Sequence, residues 1–375
     1  MISTNFLSNK SKFFQPQKNR GSVTWRCSSN IELIKYWGKY EELLPFNPSL
    51  SLTLTKAYTE MKIDYTISDK SSVEYFIDGI YNTEMTQLIT EFIKKLNSNF
   101  SFLSVLKLVI HSQNSFPQFP GTIISSSEVG SLALCLCSIE EELTGQIAEK
   151  EVFFRKASFI ARLGSGCAAR SLFGGSVLWG TLPNIHESSE QHGIHLGPLP
   201  FLEDLNVATM IVSSSKTPDP PLFRYIRLQF YNVASCRCEH AKMHILRLLD
   251  IAKRKDYFAF CGLIEAEALL LHRMVLSSSV YGLSLYPETL NIISKVRSFR
   301  KKYGIPVCFT LDAAPNLHLL YPNQFKEVVN NFIMEKLLSN CEDQKWLDDK
   351  VGTGPELIHK KNYSCNEKII LQEYF

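Results

Sequence analysis

Two lysines and two aromatics fall within five positions, Lys35, Tyr36, Trp37 and Lys39, at the end of the apolar run Ile31, Leu33, Ile34 and beside Gly38. A strand that ends this way delivers ammonium groups to an anionic ligand, although the same pattern also describes a solvated strand end. A second cluster, Arg162-Leu-Gly-Ser-Gly-Cys-Ala-Ala-Arg-Ser-Leu-Phe-Gly-Gly175, combines glycines that let backbone approach a ligand with the hydroxyl of Ser165 and the guanidinium of Arg170. That guanidinium can fork onto a carboxylate or phosphate; the bland alternative is a helix-to-strand connection carrying a surface arginine. The serines Ser125, Ser126 and Ser127 follow Phe116-Pro-Gln-Phe-Pro-Gly121 and open a helix. The free N–H groups of a helix start bind phosphate, and serines are also ordinary N-caps. Asp312 stands where Pro306-Val-Cys-Phe-Thr-Leu311 gives way to small residues. It offers a carboxylate with room beside it, or simply the turn chemistry of Asp-x-x-Pro-Asn.

The elements that must position these residues follow from the hydrophobic pattern. Strands are expected at Val23–Arg26, Ile31–Ile34, Leu50–Leu54, Met61–Tyr65, Ser104–His111, Ser176–Trp179 and Val207–Ser213. Helices are expected at Thr86–Leu96, from Ser125, at Glu151–Arg162 and Cys167–Leu172, and over the long stretches Phe223–Lys253 and Tyr257–Leu276. Pro198 and Pro200 mark a boundary near residue 200, giving domains over 23–200 and 201–375. Residues 1–22 hold Lys10, Lys12, Lys18 and Arg20 without an acid, a composition organelle transit peptides share, and read as a disordered extension.

Bulk properties narrow the function classes. A chain of 375 residues exceeds what one core usually supports. Its formal charge of +3, without an arginine-rich block, does not call for nucleic acid. No apolar run reaches the length of a membrane span. Ten cysteines without paired spacing fit reduced thiols in the cytoplasm. Cys236, His240 and His244 share a helical face, but three ligands without a fourth make a weak metal site.

Taken in order, these segments resemble the diphosphomevalonate decarboxylases of the GHMP kinase superfamily, over about residues 23 to 360. The family's Asn-Ile-Ala-x-x-Lys-Tyr-Trp-Gly-Lys is matched at 30 to 39 except for Glu32, and its Asn-x-Ser-(Leu/Ile)-Ser-x-Thr-Leu at 47 to 54. Its Gly-Ser-Gly-Ser-Ala-x-Arg-Ser-Leu-(Tyr/Phe)-Gly-Gly is matched at 164 to 175 with Cys167 for a serine, and its Phe-Asp-Ala-Gly-Pro-Asn at 311 to 316 with Leu311 and Ala314 in place of the phenylalanine and glycine. Glu267-Ala-Leu-Leu-Leu-His272 and Trp346 to Pro355 look like a bacterial branch.

The resemblance implies an α+β, two-domain GHMP kinase fold, with a ribosomal-S5-like first domain and a ferredoxin-like second, and a site between them. It implies ATP and Mg2+ as cofactors, mevalonate 5-diphosphate as substrate, a cytoplasmic homodimer, and ATP-dependent decarboxylation to isopentenyl diphosphate. By motif, Asp312 and Lys35 become catalytic; Tyr36, Ser165 and Arg170 bind substrate; Lys39, Ser125, Ser126 and Ser127 bind ATP, with Ser127 a metal ligand. The phosphate loop departs from the family at Pro120, Ile123, Ile124 and Glu128, where an acid enters the first helical turn. The alternatives are a kinase that phosphorylates a mevalonate derivative without decarboxylation, and a non-catalytic homologue.

Overall fold

Strand-forming sequence at both ends of the chain meets in one sheet. The structure, a computed structural model, describes residues 19–40, 44–116, 125–183, 185–214, 231–277, 285–311 and 316–362. The short strands expected near the N-terminus are two long ones, β1 (Arg20–Ile34) and β2 (Ser49–Ile67), which pair antiparallel with irregularities between Ser28 and Asn30 and between Glu32 and Ile34. Bulges absorb the polar residues that break the alternation, so the pairing continues through them. The first sheet adds β3 (Ser72–Ile77), β4 (Ile80–Tyr81), β5 (Leu106–Asn114), β6 (Ser176–Trp179) and β7 (Gly193–His195). It also takes β12 (Glu356–Asn362), which returns to β1, giving the order β12-β1-β2-β5-β3-β4 with β6 and β7 attached beside β2. Only β3 and β5 run parallel among these pairs.

Against this sheet pack α1 (Thr83–Leu96), α2 (Ser126–Thr144) and α3 (Lys150–Gly164). In α1, Met85, Ile89, Phe92, Ile93 and Leu96 form the buried face, Asn82 caps its start by accepting from Met85 N, and Lys94 and Lys95 complement its C-terminal end. Helix α2 is apolar nearly all round, which matches its place between β1, β2 and α3. The segment expected to be helical from Cys167 is a short 3₁₀ turn, Gly166–Arg170.

After α4 (Pro200–Glu203) comes a second, four-stranded antiparallel sheet, ordered β11-β8-β10-β9, from β8 (Leu205–Met210), β9 (Cys308–Leu311), β10 (Leu317–Pro322) and β11 (Trp346–Lys350). Its helices are α5 (Tyr231–Arg254), α6 (Tyr257–Ser277), α7 (Pro287–Tyr303) and α8 (Lys326–Phe332). One apolar cluster unites Ile31, Leu33, Ile34, Leu50 and Leu52 of the first sheet with Leu205, Val207 and Cys308 of the second and with Ile245, Leu248 and Ile264. The two sheets therefore share a core beneath the end of β1. Among the described residues no helix is long and apolar enough to cross a membrane.

The segment before β12 is locked against the glycine loop. Gly175 N donates to Gly352 O at 2.8 Å, Gly352 N to Thr53 O at 2.9 Å, and Thr53 N to Gly175 O at 3.1 Å. A Cβ on Gly174 would stand 2.3 Å from the backbone carbonyl of Thr353. Gly174→Ala should therefore destabilise the fold by about 2 kcal/mol through forced backbone separation. A denaturation midpoint equal to that of the parent would show that this contact has slack.

Candidate functional site

The site is built around buried charge. Arg170, at the end of the 3₁₀ turn, has no exposed surface. A buried guanidinium is tolerated only when its nitrogens find acceptors. All three do: Nε donates to Ser51 Oγ at 2.5 Å, Nη1 to Ser49 Oγ and Nη2 to Glu32 Oε1. Ser49 and Ser51 project from β2 at a spacing of two, hence on one face, and Glu32 faces Ser51 in the β1–β2 register. The guanidinium also lies 5.7 Å from the Trp179 ring.

Glu32 carries more than this pair. Its Oε2 accepts from Tyr36 N at 3.0 Å, and its Oε1 lies 3.2 Å from Cys167 Sγ. Thr310 Oγ1 of β9 donates to the Glu32 carbonyl at 3.1 Å. Strand β9 is thus tied to β1 two positions before Asp312, which itself lies outside the described residues.

Tyr36 packs against Trp179 with ring centroids 5.0 Å apart. A Cβ on Gly166 would come within 3.0 Å of Tyr36 Oη and 2.9 Å of Trp179, so the glycine is needed for this close approach. Ser165 ends α3 in extended backbone and is half-buried. Lys39 sits in a turn closed by Phe46 N donating to Gly38 O at 2.9 Å, with Gly38 at φ +130. The structure therefore brings Tyr36, the Ser165 loop and Arg170 together.

Lys35, 2% exposed, is fixed through its own backbone. Its N–H donates to Glu267 Oε2 at 3.2 Å, and its carbonyl accepts from Asn47 Nδ2 at 2.9 Å and from Arg237 Nη2 at 3.0 Å. Arg237 forks onto both oxygens of Glu267 at 2.7 Å, and His244 Nδ1 lies 2.5 Å from Glu267 Oε1. His244, read above as a weak metal candidate, is engaged by this carboxylate. Burial pushes the Glu267 carboxyl upward, but the hydrogen bonds from His244 and Arg237 outweigh it and hold it at about 2, below the ordinary 4.5.

The serine run opens α2. Ser125 is its N-cap, with Oγ accepting from Glu128 N at 3.1 Å, while Glu128 Oε2 accepts from Ser125 N at 3.4 Å. The other Glu128 oxygen accepts from Tyr75 Oη at 2.5 Å. The acid in the first helical turn is therefore buried and turned into the fold, where burial raises its carboxyl pKa. Ser127 also faces inward: its Oγ lies 2.8 Å from Thr59 Oγ1 and accepts from Ser29 Oγ at 3.1 Å. Ser125 and Ser126 remain half-buried at the helix start. Pro120, Ile123 and Ile124 lie outside the described residues. Among the described residues no group of three or more His, Cys, Asp or Glu could hold a metal ion.

Sequence reasoning missed Arg237 and the roles of Glu267, Asn47, Ser49 and Ser51. The alternation Asn47, Ser49, Ser51 was a usable signal, because a strand with polar residues at every second position on a buried face needs a partner for them. Nothing in the local sequence marks Arg237.

With this geometry in place, comparison with known proteins is informative. Residues 27–190 match the family model described as the diphosphomevalonate decarboxylase-like N-terminal domain. The chain is 29% identical over 320 residues to a diphosphomevalonate decarboxylase from Candida albicans, covering 78% of this chain and 82% of that one. It is 27% identical over 381 residues to one from Debaryomyces hansenii, covering 92% and 91%. Over most of its length the chain is similar to diphosphomevalonate decarboxylases. Among solved structures, the mevalonate diphosphate decarboxylase from Enterococcus faecalis superposes with a TM-score of 0.74 at 26% identity, covering 90% of this chain and 99% of that one. The Staphylococcus aureus enzyme superposes with a TM-score of 0.74 at 25% identity, covering 91% and 98%. A further structure, also 26% identical with a TM-score of 0.74 and coverages of 90% and 99%, is a complex with MVAPP, AMPPCP and magnesium. The α+β fold expected of the family is the fold of this chain.

The Glu267 cluster yields a signed pH dependence. Because the folded carboxyl titrates below its ordinary value, its contribution is fully present above about pH 4.5 and drains away as pH falls toward about 2. Glu267→Gln should cost about 3 kcal/mol near neutral pH by leaving Arg237 buried without its counter-charge. The difference from the parent should shrink as pH falls through that window. Denaturant midpoints that differ by the same amount at pH 6 and pH 3 would remove Glu267 from the acid dependence.

Proposed function

We propose that this chain catalyses the ATP-dependent decarboxylation of mevalonate 5-diphosphate to isopentenyl diphosphate. The observation that carries the reading is the meeting of Tyr36, the Ser165 loop and Arg170 at the end of β1, with β9 bonded to the same strand end through Thr310. The family's motif residues are distant in sequence, and their assembly at one place is what a shared site requires. Support for the ligands comes from the relative in complex with MVAPP, AMPPCP and magnesium.

In this reaction the γ-phosphoryl group of ATP passes to the tertiary 3-hydroxyl, and phosphate and carbon dioxide then leave. Asp312 orients or deprotonates the hydroxyl, with Lys35 beside it to offset developing charge. The buried Glu267–Arg237 cluster that fixes the Lys35 backbone supports this assignment, since a positioning lysine needs a rigid base. Tyr36 and Lys39 contact substrate and nucleotide phosphates. Ser165 and Arg170 hold the diphosphate and the substrate carboxylate; Arg170 positions a group that must depart neutral.

ATP phosphates fit the start of α2. Its capping box uses the Ser125 and Glu128 N–H groups, while those of Ser126 and Ser127 lack a carbonyl within the helix. Magnesium, when bound, would offset phosphate charge there; Ser127 would serve it only by giving up partners among Thr59, Ser29 and Ser125. The reading takes the enzyme as a cytoplasmic homodimer on family likeness alone.

Incubated with ATP, magnesium and carboxyl-labelled mevalonate 5-diphosphate, the protein should release ADP and labelled carbon dioxide in equal amounts. ADP without carbon dioxide would establish a kinase instead, and release of neither would remove the assignment. Asp312→Asn should lower turnover by a factor on the order of 10² to 10⁴ while substrate still binds in calorimetry. An active variant would take Asp312 out of the mechanism.

A further inference from the structure

Past Ile34, which still pairs with Leu50, the backbone that carries Lys35, Tyr36 and Trp37 is met by side chains. Lys35 N–H donates to Glu267, Tyr36 N–H to Glu32 at 3.0 Å, and Trp37 N–H to Asn47 Oδ1 at 3.3 Å. Asn47, 1% exposed, also works in the other direction: its Nδ2 donates to Lys35 O at 2.9 Å and to Pro48 O at 2.7 Å. Its carboxamide therefore brackets Tyr36, holding the carbonyl before it and the N–H after it. The returning arm, Pro45-Phe46-Asn47-Pro48, has a proline at each end and so is short of backbone donors; the asparagine side chain stands in for a missing peptide N–H. A residue before proline is biased toward extended backbone, which fixes where that side chain starts. Carbonyls only accept and a peptide N–H only donates, so the two ends of the amide cannot be exchanged.

We propose that Asn47 is a positioning residue for the phosphoryl-transfer step, acting through the placement of Lys35 and Tyr36. Arg237 and Glu267 grip Lys35 from the helices behind the second sheet, whereas Asn47 grips it from the arm that enters β2 and reaches past Tyr36 to Trp37. Arg170 draws on Ser49, Ser51 and Glu32 instead, so the groups given to the substrate's anions keep their own supports when Asn47 is changed. The cost of losing the amide therefore falls on the chemical step rather than on ligand affinity, because a shift of about 1 Å at a reacting group can cost on the order of a hundredfold in rate. This inference rests on the place given above to Lys35 in phosphoryl transfer and adds the residue that holds it there.

The test is single-turnover ADP formation with excess enzyme, ATP, magnesium and mevalonate 5-diphosphate, beside separate calorimetric titrations of the two ligands. Asn47→Asp keeps the shape and the acceptor for Trp37 N–H but sets an acceptor against two carbonyls; Asn47→Ser is a shorter, uncharged second variant. Asn340→Ala is the control, since it removes a buried asparagine bonded to Leu337 O and Asn291 in the second domain. Both Asn47 variants should form ADP about tenfold to a hundredfold more slowly than the parent, at full amplitude and with both dissociation constants within about threefold. The control should keep the parent's rate. A merely structural role lowers the amplitude, which counts folded molecules, and leaves the rate alone; that result overturns the proposal. So do an unchanged rate at full amplitude, an affinity loss as large as the rate loss, an equal slowing in Asn340→Ala, or failure of both Asn47 variants to fold. ADP without carbon dioxide from the parent removes decarboxylation but leaves this comparison intact, whereas a parent that forms no ADP ends both readings.

Discussion

A guanidinium with no solvent contact is the constraint from which the site follows. Taking such a group out of water is repaid only where acceptors are held in place around it, and breaking one partner of a buried pair typically costs about 3 to 5 kcal/mol. Arg170 draws those acceptors from two strands: Ser49 and Ser51 on β2, and Glu32 on β1. It thereby fixes the β1–β2 register at the point where β1 ends, sets the height of the glycine loop that carries Ser165, and presses Trp179 toward Tyr36. Were β1 shifted by one residue, Glu32 would face the opposite side and the arginine would lose its counter-charge.

A second buried ion pair stands a few residues further along the same strand end, with the opposite logic. Around Glu267 a carboxylate is the enclosed group, and Arg237 and His244 satisfy it. Both partners lie on α5, while Glu267 belongs to α6; Glu267 and Arg237 bond the backbone of Lys35, and His244 reaches it only through Glu267. The helices behind the second sheet thus grip the chain just past the end of β1. The Lys35 position is set by elements of both sheets, which share the apolar cluster beneath it.

Much of this was readable in the chain, and the reasons differ by residue. Helix α1 carries a clean apolar face, so its end at Leu96 followed from local pattern, whereas its start, capped by Asn82, lies three residues before the expected Thr86. The lysine and aromatic cluster and the glycine loop stood out in the chain by their residue types and density, and the structure brings Tyr36 and the Ser165 loop together. The β1–β2 pair was read as fragments, since bulges at Ser28 and Glu32 interrupt an alternation that the hydrogen bonding carries through. Strand β12 was missed because its sequence, Glu356-Leu-Ile-His-Lys-Lys-Asn362, is polar enough to pass for a tail; pairing with β1 supplies what its side chains do not. The partner of Glu128 was hidden for a related reason. An acid in a first helical turn reads as facing the ligand that the turn would hold, yet Tyr75 lies fifty-three residues away in sequence and draws it inward.

The departures from the family pattern can be weighed by where they fall. An isolated substitution that weakens a binding loop would be expected to leave a cavity or an unsatisfied group. Glu32 does neither, since its carboxylate is met by a guanidinium, a backbone N–H and a thiol. Glu128 is likewise met by Tyr75 and by the Ser125 N–H. Each of the two added acids has acquired a full set of donors within the fold. A chain drifting out of function would not be required to satisfy them so completely at two separate places. The site is better understood as repacked around its added carboxylates, each met by donors that the fold itself supplies.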